Sequence, residues 1–363
     1  MKIVLITNMP VPYRNPIFEI LSNQLEKNFL VIFCSKKESN RAWNLEKLNF
    51  NHLFLKENVK AKKDGFNFVH NNTDIFKELK KFNPDVIITT GYNPTHLYAW
   101  LFSVFYRKKH IPMTDGWEYS EKNLSFFHKL IRKIVFFTSD SFIGASKNSL
   151  SLFESYGIKK EKLFQSHLCI DNVRFKNKKE FSERKYHIMF SGQISEHKIP
   201  FFFFDIAKKL SIKIPNLKVL ILGDGPLKEE FFSKLNEANI DYDYPGFVSQ
   251  DELPKFYSNS KLFLFTTRVD AWGVVANESM ASGTPVISTP YAGIINDLLI
   301  DNINGFIIDT IIEKWTNQIE IILNNEDLWK ELSLNAIEKV KDFNFSNAAK
   351  GIIDASTFAM DKK

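Results

Sequence analysis

Short apolar runs alternate with segments of helical period along most of this chain. Lys2–Thr7 reads as a buried strand and Ile17–Glu26 as the amphipathic helix that follows it. Phe29–Cys34 is a second strand, Asp74–Phe82 a helix, and Pro84–Thr89 a strand that stops before Gly91. Thr95–Tyr106 and Asn123–Phe136 have helical period, Ser141–Ala145 is extended, and Lys147–Tyr156 is helical again. After a Lys-rich stretch at 172–185 the alternation restarts. Strands are predicted at Tyr186–Ser191, Leu217–Leu222, Asp241–Pro245, Lys261–Thr266 and Pro285–Ser288. Between them lie helices at Pro200–Lys213, Lys228–Ala238, Gln250–Ser258 and around Asn277–Ala281. Short strands separated by helices predict parallel sheets covered on both faces. The fold class is therefore α/β, with two doubly wound, Rossmann-like domains facing across a cleft. The expected limits are 1–172 and 173–343, with a C-terminal helix at 344–363 packing back on the first domain.

Composition fits two globular domains: 363 residues, 44% hydrophobic and 25% charged. The 35 Phe are read as a Lys/Asn/Ile/Phe-rich coding bias rather than as a ligand site. Cys34 and Cys169 fit no metal or redox spacing. No signal peptide and no run of roughly 20 apolar residues is visible. A cytoplasmic protein is expected. The net charge of +6 divides unevenly. Residues 1–170 hold 25 Lys/Arg and 15 Asp/Glu, net +10, whereas 171–363 hold 23 and 27, net −4. The first half is thus expected to face something anionic.

The most informative stretch runs from Asp270 to Pro285. Asp270 and Glu278 flank a Gly-containing turn that opens into a helical pattern, and Gly283-Thr284-Pro285 leads into an apolar strand. Exposed amides at a turn before a helix suit an anion or a sugar.

Several motifs, in order, resemble those of the retaining glycosyltransferases of family 4, which have the GT-B fold. Ser191-Gly192-Gln193 through Lys198 resembles the family's Gly-Arg-Leu…Lys loop. Leu222-Gly223-Asp224-Gly225-Pro226 matches its Gly-Asp-Gly-Pro turn, and Gly246-Phe247-Val248 follows the next strand as in the family. Asp270–Glu278 resembles its paired-glutamate motif, and Pro285 through Gly293 to Gly305 its tail. The Asp-Ala-Trp-Gly form of the pair looks like a subgroup of the family.

The resemblance implies roles. Lys198 would stabilise charge on a departing nucleotide diphosphate. Asp270 would lie at the donor sugar and Glu278 at the ribose hydroxyls. Gly192, Gln193, Gly223, Val248 and the amides of Ala271, Trp272, Gly273, Val274 and Val275 would line the donor. The Trp272 indole is read first as core, with sugar stacking as the alternative. Gly293 would open a helix whose amides hold phosphate, with Asp297 in its first turn. Gln193 stands where the family has Arg, leaving Arg268, or less directly Arg14, as substitute cations.

In the first domain Tyr13 and Arg14, in a Pro-rich loop after strand one, and Asp115 and Glu118 are acceptor candidates. His96 is read as structural. Asp241-Tyr242-Asp243 mimics an Asp-x-Asp metal motif but overlaps a strand, so it is rejected. No metal or cofactor is expected, and the nucleotide-sugar is a substrate.

Ser120–Phe137 combines Lys122, His128, Lys129, Arg132 and Lys133 with Leu124, Phe127, Ile131 and Ile134. That pattern suits either an anionic membrane surface or a solvated domain helix. No nucleic-acid motif is present. A dinucleotide-dependent oxidoreductase is excluded because strand one lacks a following Gly-x-Gly-x-x-Gly. The expected activity is transfer of a sugar, with retention, from a UDP-sugar to a saccharide or lipid-linked acceptor in bacterial surface polysaccharide or lipopolysaccharide assembly. A non-catalytic nucleotide-sugar-binding protein is the alternative.

Overall fold

Every strand of the two main sheets runs parallel to its neighbours, as continuous apolar runs require once both faces are covered. The computed structural model describes residues 1–38, 47–61, 68–175, 178–246 and 248–361. The chain divides into two compact units, Met1–Cys169 with Phe345–Lys363, and Ile170–Asn344.

The first unit holds β1 (Ile3–Thr7), β2 (Phe29–Phe33), β3 (His52–Phe54), β6 (Val86–Thr89), β7 (Lys109–Thr114), β8 (Phe142–Gly144) and β9 (Leu163–Gln165). Their order is β3-β2-β1-β6-β7-β8-β9. A separate antiparallel pair, β4 (Val59–Ala61) and β5 (Phe68–His70), stands beside it in sequence. Val4, Ile6, Ile32 and Ile87 pack on Ile75, Leu79, Ala99 and Phe102 of two covering helices. The helix Phe345–Asp361 closes this unit: the Ser141 hydroxyl donates to the Ala355 carbonyl at 2.8 Å.

The second unit holds β10 (Tyr186–Ser191), β11 (Lys218–Leu222), β12 (Asp241–Asp243), β13 (Ser260–Phe265), β14 (Val286–Ser288) and β15 (Gly305–Ile307), in the order β12-β11-β10-β13-β14-β15. Phe190, Phe203, Phe231, Leu235 and Trp315 form the middle of its core. In both sheets the order reverses beside a central strand, between β1 and β6 and between β10 and β13. Loops leave such a point in opposite directions, which opens a crevice at the carboxyl ends.

Two local expectations are revised, and one strand was not predicted. Lys109–Thr114 is a strand although it contains Pro112. Pairing toward β8 involves only Met113 and Thr114, past the proline. The helix expected at 123–136 begins later, at Phe126, because Ser125 is extended (φ −63°, ψ 159°), and a separate short helix, Glu118–Glu121, precedes it. No helix forms after Gly293, because Asn296 takes a left-handed conformation (φ 60°) and the Leu298 and Leu299 amides both turn back to the Ile294 carbonyl.

Arg184, 3% exposed, ties β10 to the strands and loops beside it. It donates to the Ser260 carbonyl (2.8 Å), the Thr284 hydroxyl (2.7 Å) and the Ser282 carbonyl (3.2 Å), and lies 4.6 Å over the Trp329 ring. Arg184→Met removes the guanidinium donors from those acceptors and is expected to cost about 3 kcal/mol in denaturant unfolding. Lys209→Met, which removes only a surface pair with Glu313, is expected to cost less than about 1 kcal/mol.

Candidate functional site

The second unit gathers its polar groups at the β10/β13 reversal. Gly223, after β11, has φ 121°, and a Cβ there would fall 1.9 Å from the Gly192 carbonyl oxygen. The two turns therefore interlock only with glycine present. The Gly192 amide donates to the Leu222 carbonyl at 3.0 Å. The turn Glu196–Lys198 is fastened to the loop after β13. The Lys198 carbonyl accepts from the Thr266 hydroxyl (3.0 Å), and the His197 carbonyl from the Thr267 hydroxyl (3.0 Å) and the Arg268 amide (2.8 Å).

This fastening brings the Lys198 ammonium onto the Asp270 carboxylate. The side chains keep 16% and 23% of their exposure, so the pair is open to a ligand. Lys198 also lies 4.5 Å over the Phe265 ring. The second Asp270 oxygen accepts from the Trp272 amide at 3.0 Å. The backbone of Asp270 is paired with the 291–293 segment: its amide donates to the Tyr291 carbonyl and its carbonyl accepts from the Gly293 amide, both at 3.0 Å.

Gly273 then starts the helix Val274–Ala281 with φ 112°, where a Cβ would lie 2.5 Å from the Phe265 ring. First-turn amides of a helix lack intrahelical acceptors and carry its positive end. Glu278, in the second turn, is 5% exposed. It accepts from the Tyr257 hydroxyl at 2.8 Å, which is 2.8 Å from the Ser191 hydroxyl. Burial pushes the Glu278 carboxyl up from 4.5 to about 7, and the Tyr257 hydrogen bond only partly opposes this.

The structure thus joins Lys198, Asp270, Gly273 and the start of the helix carrying Glu278. Gly192 and Gly223 lie against the same loops. Gln193 is exposed after β10, as is Arg268 after β13, and Val248 is half-buried beyond β12. Phe247 lies outside the described residues. The Trp272 indole is 1% exposed, donates to the Asn277 amide oxygen at 2.8 Å and packs 5.6 Å from the Phe343 ring, so it is core. Ala271, Val274 and Val275 surround the turn and remain half-buried. Gly293 does not open a helix, so the phosphate-binding helix N-terminus expected there is absent. Its role is close packing, since a Cβ would meet the Ala271 carbonyl oxygen at 1.9 Å. Asp297 is buried in the turn that replaces the helix, not in a helical first turn. Tyr257 was not legible as a site residue, being one aromatic among many with no motif spacing to Glu278.

In the first unit a cavity of about 170 Å³ opens at the β1/β6 reversal, with Thr7, Asn8, Tyr13, Arg14, Glu38, Thr90 and Asp115 among its lining. Arg14 donates to Asp115 at 2.7 Å and to the Ser166 carbonyl at 3.3 Å. Glu38, which the sequence did not single out, accepts from His70 at 3.0 Å and is nearly buried. Its only signal was its position after the second strand. Glu118 is exposed on its short helix and does not line the cavity. His96 is buried, and burial lowers its imidazole to about 3, so it is neutral. Asp243 is held by Lys185 and by the Tyr186 hydroxyl at 2.5 Å.

Two parallel sheets of this order, each with polar groups at its reversal, define a GT-B fold. HepE of Anabaena, solved in complex with UDP, superposes with a TM-score of 0.79 at 14% identity, covering 98% of this chain and all of that one. Residues 171–340 match the family model of glycosyl transferases group 1. The Campylobacter jejuni GalNAc-alpha-(1->4)-GalNAc-alpha-(1->3)-diNAcBac-PP-undecaprenol alpha-1,4-N-acetyl-D-galactosaminyltransferase is 29% identical over 46% of each chain. An uncharacterized glycosyltransferase of Methanocaldococcus jannaschii is 23% identical over 91% of this chain and 88% of its own. The chain spans about half, or less, of the length of the first curated relatives it matches.

Because the folded Glu278 carboxyl titrates near 7 and the unfolded one near 4.5, the unfolded state loses its proton first as pH rises. Stability from this group is greatest below about 4.5 and falls until about 7. Glu278→Gln is therefore expected to gain stability relative to the parent across that interval, by of the order of 3 kcal/mol in full. Urea unfolding of both proteins from pH 4.5 to 8 reads this; parallel profiles would contradict it.

Proposed function

We propose that this chain is a retaining, nucleotide-sugar-dependent glycosyltransferase, with a UDP-sugar as donor. The observation that carries the reading is the Lys198–Asp270 pair at the β10/β13 reversal, beside a glycine-started helix that buries Glu278. All of these residues fall within the segment that matches glycosyl transferases group 1. The UDP and UDP-glucose complexes of HepE support uridine as the base.

In this reading Glu278 accepts the ribose hydroxyls, helped by Tyr257, and the Val274 and Val275 amides face the diphosphate. Lys198 neutralises charge as the bond from the anomeric carbon to the phosphate oxygen breaks, its electron pair leaving with the diphosphate. The acceptor oxygen forms the new bond on the same face. Its proton passes to the departing phosphate oxygen. Asp270 orients the donor sugar and offsets positive charge at its anomeric carbon. Charge already fixed in place favours the transition state over the bound ground state. Gln193 adds no charge, so Lys198 bears more of the diphosphate's charge.

The acceptor binds the polar cavity of the first unit through Tyr13, Arg14, Glu38 and Asp115. Hydroxyl groups suit a lining that mixes a cation with carboxylates. The diphosphate-undecaprenol saccharide in the name of the Campylobacter relative supports a lipid-linked acceptor in surface polysaccharide or lipopolysaccharide assembly.

The test is a thermal-shift and UDP-release assay with UDP-hexoses. UDP is expected to raise Tm in the parent and in Asp270→Ala, but not in Glu278→Ala. Asp270→Ala is expected to lower transfer by about 10²-fold or more. An active Asp270→Ala variant, or tight UDP binding with no sugar release across a panel of saccharide acceptors, would sink the reading.

A further inference from the structure

The helix Phe126–Phe137 leaves its most apolar side in solvent. Phe126 and Phe127 are each 73% exposed, Phe137 is 89% exposed, and Leu130, Ile131 and Ile134 are exposed with them. At 100° per residue these six side chains fall within about 140° of the helix wheel. The inward stripe, Arg132, Val135 and Phe136, lies on the opposite side. Amphipathic helices in folded domains normally turn the apolar face inward, so this one is reversed.

A second helix is tied to this one. The Trp100 indole, midway along Pro94–Phe105, donates to the Thr138 hydroxyl at 2.8 Å, just past Phe137. Phe105, the last residue of that helix, is also 77% exposed. The rim is basic. The segment Phe126–Phe137 contains no acid, and Lys129 and Lys133 are exposed along one edge. Arg132 is the exception, turned inward and paired with Glu121 at 2.8 Å. No helix among the described residues is long and apolar enough to cross a membrane.

We infer that this face is a docking surface for an anionic phospholipid bilayer, in which the phenylalanines enter the interface and Lys129 and Lys133 meet the headgroups. Charge complementarity selects the partner. A second copy would bring another Lys129 and Lys133 against the first, in a half-chain with net charge +10. A bilayer surface rich in phosphodiester groups attracts the rim and accepts the apolar stripe at once. The inference does not rest on the transferase reading, since none of these residues belongs to the candidate site.

The test is flotation of the full chain with vesicles of equimolar phosphatidylglycerol and phosphatidylcholine, against vesicles of phosphatidylcholine alone. The parent is expected to float with the anionic vesicles and to be released by high salt. Each of Lys129→Gln and Lys133→Gln is expected to weaken binding about fivefold. The triple variant Phe126→Ser, Phe127→Ser, Phe137→Ser is expected to stay with the soluble fraction, with a parental melting curve and an unchanged UDP thermal shift. Failure of the parent to float overturns the inference. So does equal binding to neutral vesicles, or full binding by the triple variant. A parental dimer in sedimentation that the serine substitutions dissociate would assign the face to a second copy instead.

Discussion

At β10 the chain departs in both directions, and most of the candidate site follows from that. A parallel sheet sends all its carboxyl ends to one edge. With β11 on one side and β13 on the other, the loop after β10 has no neighbour crossing over it. The turn carrying Lys198 occupies this opening and is fastened to the loop after β13 by backbone acceptors. The ion pair with Asp270 is thus positioned by two loops that hydrogen bonds hold together, not by side-chain attraction alone. Gly223 and Gly293 extend the same logic, since each lets one strand-end loop touch another where a Cβ would not fit.

Electrostatics separates the two acids. Asp270 remains partly in solvent with a cation against it, whereas Glu278 is buried with a phenol as its partner. A buried carboxylate is costly unless something donates to it. The Tyr257 hydroxyl supplies one donor, and burial still holds the carboxyl's pKa high. A further hydroxyl donating to Glu278 would favour its charged form and lower that cost.

The fold was largely legible because buried parallel strands are written as uninterrupted apolar runs, as in β1, β10 and β11. Tyr186–Ser191 and Pro200–Lys213 have the predicted limits. β7 was concealed by Pro112 and by the basic residues before it. The turn after Gly293 was concealed because Ile-Ile-Asn-Asp-Leu-Leu has a helix-like apolar spacing, and only the left-handed Asn296 breaks it. The candidate site was legible where a loop motif places its residues together, at Lys198, Asp270 and Glu278. It was not legible where a partner comes from another element, as with Tyr257 beneath Glu278 or His70 behind Glu38. Periodicity also favoured a basic amphipathic helix near 120–137 but could not tell which side faces inward.

The helix Phe345–Asp361 belongs to the first unit, although the second unit lies between them in sequence. Gly351 meets the Gln165 carbonyl so closely that a Cβ would fall 1.8 Å from it. On a translating ribosome the first 169 residues therefore emerge without their covering helix. The surface of β7 to β9 and the helix Asn15–Leu25 wait uncovered while the entire second unit is made. The first unit begins folding early and finishes late, whereas the second is contiguous and completes its sheet while synthesis continues. That interval of exposure is set by the order of the segments rather than by the strength of any contact.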